Sequence, residues 1–111
     1  MADEIRTGTQ DGTGASIVIQ VGWVPDWVVV QNIEAADFAR LEWYKGMTAA
    51  HAIKTVTSTK SAITSLGISQ NAGSGQLGAT AAVKPGFIIG ADTDVNVSGE
   101  ALTWIAGRNT P

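Results

Sequence analysis

The chain predicts an all-β protein, a small antiparallel β-sandwich of jelly-roll type with about seven to eight short strands. Three observations predict it. Residues Ser16–Lys45 hold three β-type runs separated by turn residues, and three of the four tryptophans lie among them. Hydrophobic residues make up 44% and charged residues only 15%, with Gly, Thr, Ser, Ala and Val filling most of the rest. That palette suits short strands and tight turns and leaves little material for long amphipathic helices. Turn signals also recur at short intervals, at Pro25-Asp26, Glu34–Asp37, Pro85-Gly86 and Ser98-Gly99.

Taken in order, Met1–Gly14 is polar and rich in Gly and Thr and reads as an N-terminal arm, with the sandwich domain at 15–111. Two readings of this segment stand side by side. A neighbouring subunit holds the arm, with Ile5 as its one apolar anchor and Asp3, Glu4, Arg6 and Asp11 as charges for a complementary surface. Alternatively the segment folds back on its own domain as an extra strand through Glu4-Ile5-Arg6.

From Ser16 to Trp23 the residues alternate, with Ile17, Ile19, Val21 and Trp23 on one side and Val18, Gln20 and Gly22 on the other, the period of a strand with one face in a core. Pro25 cannot donate to a ladder and Asp26 can bond to the backbone ahead of it, so a turn is expected there, folding two strands against each other. Trp27–Ile33 is β-branched and aromatic almost throughout and predicts a central strand covered on both faces. After Glu34–Asp37, Phe38–Lys45 returns with Leu41 and Trp43 inward and Arg40, Glu42 and Tyr44 outward.

Beyond the loop at Gly46–Thr48, Ala50–Val56 predicts a strand, because Thr55-Val56-Thr57 prefers a pleated sheet to a helix. Ser61–Ser69 predicts one more, with a bulge near Ser65 because Ile63 and Leu66 fall out of alternation. Asn71–Gly78 reads as a loop and Ala79–Lys84 as a weakly patterned piece ended by Pro85-Gly86. Phe87-Ile88-Ile89 is a short buried strand, Ala91–Asp94 a polar turn, and Ala101–Ala106 the closing strand, entered by a hairpin turn at Ser98-Gly99.

Composition also narrows function. With no cysteine, neither a disulfide framework nor a thiolate metal site is available. The net charge is −3 and the pI about 4.8, with Lys45, Lys54, Lys60 and Lys84 well apart, which does not describe a nucleic-acid binder. Met-Ala-Asp-Glu lacks the layout of a signal peptide and no apolar run approaches a membrane span, so a soluble protein made in the cytoplasm is expected.

Four motifs bear on chemistry. Gly73–Gly78 matches G-x-G-x-x-G, yet the helix that must follow would end at Pro85, so a loop is expected and no cofactor. Asp92, Asp94 and Asn96 have the i, i+2, i+4 spacing of calcium loops, but Val97 stands where the motif needs glycine and Thr103 where it needs glutamate. What is left is either a loose surface cation site or a turn whose side chains bond to their own backbone. His51 is the only histidine, there is no Gly-x-Ser-x-Gly, and no acidic pair is set in an apolar run, so no enzyme is expected. Trp23, Trp43 and Trp104 fall on core faces, whereas Trp27, beside the turn, is the aromatic expected at a surface or interface.

Two stretches together carry a likeness: Gly22-Trp23-Val24-Pro25-Asp26-Trp27-Val28-Val29-Val30-Gln31-Asn32, and Gly86-Phe87-Ile88-Ile89-Gly90 through Asp94, Val95 and Asn96 to Trp104-Ile105-Ala106. The chain resembles a module of bacteriophage and prophage virion surface proteins. Met47–Lys84 is unmatched, and the shared positions are turn glycines, Pro25 and core aromatics. The resemblance implies a small β-sandwich on a phage particle, as a capsid decoration or cement protein on the head exterior, or as a fibre-type module that binds a receptor or glycan. It implies the major capsid protein or another virion protein as partner. A homo-oligomer is expected as well, because symmetric assembly would hide the apolar residues left over on a domain this size, and no nucleic acid, membrane, cofactor or metal is expected.

Overall fold

The computed structural model describes residues 4–35, 38–73 and 83–109. Among these the chain is all β, with nine strands: β1 (Glu4–Asp11), β2 (Ile17–Gln20), β3 (Trp27–Asn32), β4 (Arg40–Tyr44), β5 (Ala52–Val56), β6 (Thr59–Ile63), β7 (Ile68–Asn71), β8 (Gly86–Ile89) and β9 (Ala101–Arg108). They form a six-stranded sheet in the order β1-β9-β3-β4-β5-β6 and a three-stranded sheet in the order β2-β8-β7, antiparallel throughout. The predicted β-sandwich is the observed fold. The two ends of the chain meet, β1 with β9 in one sheet and β2 with β8 in the other, while β3–β6 continue as a meander instead of the further paired strands of a jelly roll.

The core lies between the sheets. Ile17, Ile19, Phe87, Ile89 and Ile68 face inward from the small sheet, and Val28, Val30, Leu41, Trp43, Ala52, Leu102 and Ala106 from the large one, all buried. Burying each of the larger side chains is worth about 1.5 to 3 kcal/mol. Trp104 completes the interior by meeting Phe87 edge to face at 5.3 Å. It lies across Gly8, where a Cβ would come within 2.5 Å of the indole.

Several expectations change. Ile17, Ile19, Val21 and Trp23 are buried as their alternation predicts, but β2 and β3 do not pair with each other. Val21 N–H and Gly22 N–H both donate to Pro85 O, Gly22 adopts φ +97°, and Asp26 N–H then donates to Gly107 O of β9. The turn at Pro25-Asp26 is therefore a crossing between sheets. β3 is central, as expected, but covered on one face only: Val28, Val30 and Asn32 are buried while Trp27, Val29 and Gln31 are half-exposed. A β-branched run cannot by itself tell a strand covered twice from one covered once.

Ser61–Ser69 is not one bulged strand. β6 ends at Ile63 and pairs with β5, whereas β7 starts at Ile68 in the other sheet, and Leu66 at φ +62° and Gly67 make the change of direction. Gly90 N–H donates to Gly67 O, locking that corner against the end of β8. Ser98-Gly99 is a turn, with Gly99 at φ +83°, but it leads from the corner into β9 rather than closing a hairpin, because β8 and β9 lie in different sheets. Glu4–Asp11 pairs along its whole length with β9, so this part of the expected arm is a strand of the domain, the second of the two readings. Met1–Asp3 lie outside the described residues, as do most of the loop expected at Asn71–Gly78 and most of Ala79–Lys84.

Candidate functional site

The strand registers assemble the broad outer face of the six-stranded sheet, the side turned away from the three-stranded one. Strand alternation assigns this face the odd-numbered residues of β1, β3 and β9. One row across it reads Ile5, Gly107, Trp27, Tyr44; the next reads Thr7, Ile105, Val29, Glu42, Ile53; a third reads Thr9, Thr103, Gln31, Arg40, Thr55. Trp27 lies flat over Gly107, where an added Cβ would sit 2.4 Å from the indole ring. The absence of a side chain at Gly107 is thus what lets Trp27 lie on the sheet.

Trp27, Val29 and Ile105 are half-buried, while Ile5 is 58% and Tyr44 42% exposed. A shallow depression of about 150 Å³ opens here, lined by Thr7, Val29, Gln31, Thr103, Trp104 and Ile105. Polar groups rim the apolar patch along β4. Arg40 pairs with Glu42 at 3.0 Å, and the Tyr44 hydroxyl donates to Glu42 Oε1 at 3.2 Å. Partial burial, then the charge and hydrogen bond of Glu42, hold the Tyr44 phenol above its ordinary pKa. The phenol therefore stays protonated and a donor through the neutral range.

The other polar cluster is the corner between β8 and β9. Asp92 Oδ1 accepts the N–H groups of Asp94 and Val95 at 2.9 and 3.0 Å. Lys54, projecting from the inner face of β5, places its ammonium 2.9 Å from Asp92 Oδ2 and 2.6 Å from Asp94 Oδ2. Burial alone pushes the Lys54 pKa down, but the hydrogen bonds and charges of Asp94 and Asp92 outweigh it and hold it above the ordinary value. The side chain of Asn96, 1% exposed, turns to the backbone instead. Its Oδ1 accepts Thr13 and Gly14 N–H, and its Nδ2 donates to Ala15 O and Gly90 O. Asn32, also buried, bridges from β3 with its Nδ2 donating to Val95 O and Glu100 Oε1 and its Oδ1 accepting Glu34 and Ala35 N–H. The Asp92, Asp94, Asn96 spacing therefore does not converge on a cation. A lysine ammonium already fills the space between the two carboxylates, and the amide ties the two chain crossings together. This is the turn reading of that motif.

The remaining predicted residues separate in space. Glu4 pairs with Arg108 at 2.8 Å, Arg6 and Ile5 are exposed, and Asp3 lies outside the described residues. Trp27 is half-buried on the outer face of the six-stranded sheet, and Trp23 and Trp43 are core, at 7% and 2% exposure. Arg108 covers Trp23 with its guanidinium 5.3 Å from the ring centre. His51 is half-buried and caps nothing with its ring; its backbone carbonyl accepts Ile68 N–H. Among the described residues, no three of His, Asp and Glu gather as metal ligands, and no helix is long and apolar enough to cross a membrane. Of the G-x-G-x-x-G segment only Gly73 is described, at φ +81°.

Tyr44 is outward, as its alternation predicts; sequence reasoning missed Val29 and Ile105 as members of the exposed patch. The signal was the alternation of Trp27, Val29 and Gln31 against Val28, Val30 and Asn32. Comparison of this chain with family models, curated proteins and solved structures yields no match.

Proposed function

We propose that this chain is a structural protein of a bacteriophage particle, a decoration or cement protein that binds the outside of the capsid through the outer face of its six-stranded sheet. The observation that carries the reading is the contiguous patch of Ile5, Trp27, Val29, Ile105 and Tyr44, which no described residue covers. Single exposed apolar side chains are ordinary on a protein surface, whereas a contiguous set with a polar rim marks a contact site for another macromolecule. The likeness of Gly22–Asn32 and Gly86–Ala106 to virion surface modules supplies the setting: a virion, with the major capsid protein or another virion protein as partner. The reading assigns no catalysis, cofactor, nucleic acid or membrane.

Co-sedimentation with empty shells of the parent phage tests it. Wild-type protein should pellet with the shells, and Tyr44→Ala combined with Ile5→Ser should weaken binding at least tenfold, since about 1.4 kcal/mol of lost contact suffices for that. Wild-type protein left in the supernatant would remove the capsid reading.

A second reading has its own observation. Trp27 and Tyr44 are direct register partners, and Glu42 beside them offers an acceptor, an arrangement suited to stacking a sugar ring in a fibre-type glycan-binding module. Oligosaccharides that protect Trp27 fluorescence from an aqueous quencher would favour it. Indifference of that fluorescence to every sugar tried would remove it.

A further inference from the structure

Strand β1 is eight residues long, contains no proline and forms one edge of the large sheet. The direction of its free backbone groups follows from the ladder. Gly12 N–H donates to Glu100 O, and Ile33 N–H on the opposite side of β9 donates to Ala101 O. Even-numbered residues of β9 thus bond toward β1 and odd-numbered ones toward β3. By the register Glu4↔Arg108 to Gln10↔Leu102, the even residues of β1 bond inward to β9. Ile5, Thr7 and Thr9 therefore direct their N–H and C=O groups outward, and no described residue bonds to them. The other edges are less suited to pairing. They are shorter: β6 has five residues, and β2 and β7 have four each.

We infer that the protein pairs with a second copy of itself through β1, edge to edge and antiparallel about a two-fold axis, with Thr7 opposite Thr7 of the second copy. An axis perpendicular to the sheet keeps each face with its own kind, so residues opposite each other must both be odd or both even. Every residue centre meets this condition, and a centre at Thr9 confines the overlap to residues 7–11. A centre at Arg6 sets two guanidinium groups directly against each other, and one at Gly8 sets Ile5 against Asp11. A centre at Ile5 leaves only Glu4–Arg6 of the described strand in the overlap. Centring on Thr7 opposes Thr7 with Thr7, Ile5 with Thr9, Glu4 with Gln10 and Arg6 with Gly8, with no like charges opposed among the described residues. It engages the three outward-facing residues of each copy in about six hydrogen bonds. It also brings the two outer faces side by side, so that Ile5 of each copy extends the patch around Trp27 and Ile105 across the axis.

The inference stands apart from capsid binding, which can fail with the dimer intact. Size-exclusion chromatography with light scattering should give twice the 11.5 kDa chain mass for the wild-type protein. Thr7→Pro removes one outward N–H, leaves the inward bonds to β9 in place, and should give a folded monomer. The chain lacks cysteine, so Thr7→Cys and Thr9→Cys test the register cleanly. On oxidation Thr7→Cys should cross-link to a dimer and Thr9→Cys should not, because the two copies of residue 9 would stand about 13 Å apart, beyond disulfide reach. If Thr7→Pro does not fold, the cysteine pair still decides. A wild-type protein monomeric at every concentration, a folded Thr7→Pro dimer, or cross-linking of Thr9→Cys but not Thr7→Cys would overturn the proposal.

Discussion

Replacing Asn96 by alanine tests whether the corner between β8 and β9 organises the sandwich. The amide makes four hydrogen bonds, to Thr13 N at 2.9 Å, Gly14 N at 3.3 Å, Ala15 O at 2.6 Å and Gly90 O at 2.9 Å. A typical internal hydrogen bond contributes about 1 kcal/mol net. Thr13, Gly14 and Ala15 are exposed, so their freed groups can turn to water, whereas the half-buried Gly90 carbonyl can do so less. The expected loss is therefore about 2 to 4 kcal/mol, at about 4 to 8 °C in Tm for each. Urea unfolding followed by tryptophan fluorescence measures it directly. Asn96→Asp sharpens the test. It keeps both acceptor bonds but turns a carboxylate oxygen toward the Ala15 and Gly90 carbonyls, so it should cost at least as much at pH 7 and less in acid, where the carboxyl can donate. Exposed Ser98→Ala, two residues away, should stay within about 0.5 kcal/mol. A loss below about 1 kcal/mol for Asn96→Ala would refute the claim that this side chain holds the two crossings together.

Three other outcomes follow from the structure. Lys54 has a pKa raised above its ordinary 10.5 by Asp94 and Asp92, so its contribution is fully present below pH 10.5 and is lost as pH rises through the higher folded value. Stability of the wild type measured by urea unfolding should thus carry a decline at strongly alkaline pH that Lys54→Met lacks, and Lys54→Met should lose about 1.5 to 3 kcal/mol at pH 7 by leaving Asp92 unpaired. Thr57 holds φ +56° in the two-residue turn between β5 and β6, a strained conformation for a β-branched residue. Thr57→Gly should raise stability by about 1 kcal/mol in the same assay, the relieved strain exceeding the entropy glycine loses on folding. Ultraviolet titration of Tyr44 should give a midpoint above 10.0, and Glu42→Gln should bring it down.

Much of the fold was legible in the chain because strand alternation is a local property. Ile17, Ile19, Val21 and Trp23, or Leu41 and Trp43, need only the period of two and a core to be assigned a face, and all are buried. The closing strand and Phe87-Ile88-Ile89 between glycines were readable on the same ground. Gly99 does adopt the positive φ that a turn there requires.

Which strand lies beside which was decided by the tertiary structure, because ladder partners are chosen by contacts far apart in sequence. Nothing local at Pro25-Asp26 says that the chain leaves one sheet for the other; the bonds of Val21 and Gly22 to Pro85 O, and of Asp26 to Gly107 O, say it. Glu4–Asp11 has no composition for a core, yet it needs none, since β9 supplies a ladder to an edge strand of any polarity. The polar spacing of Asp92, Asp94 and Asn96 looked like a ligand set only while Lys54, Thr13 and Gly90 were distant in the chain. The place of Trp27 beside a turn could be read in the chain. Its alignment with Ile5 and Tyr44 could not, because that row is written by three strand registers at once, and a one-residue slip in any of them would send the side chains to the opposite face.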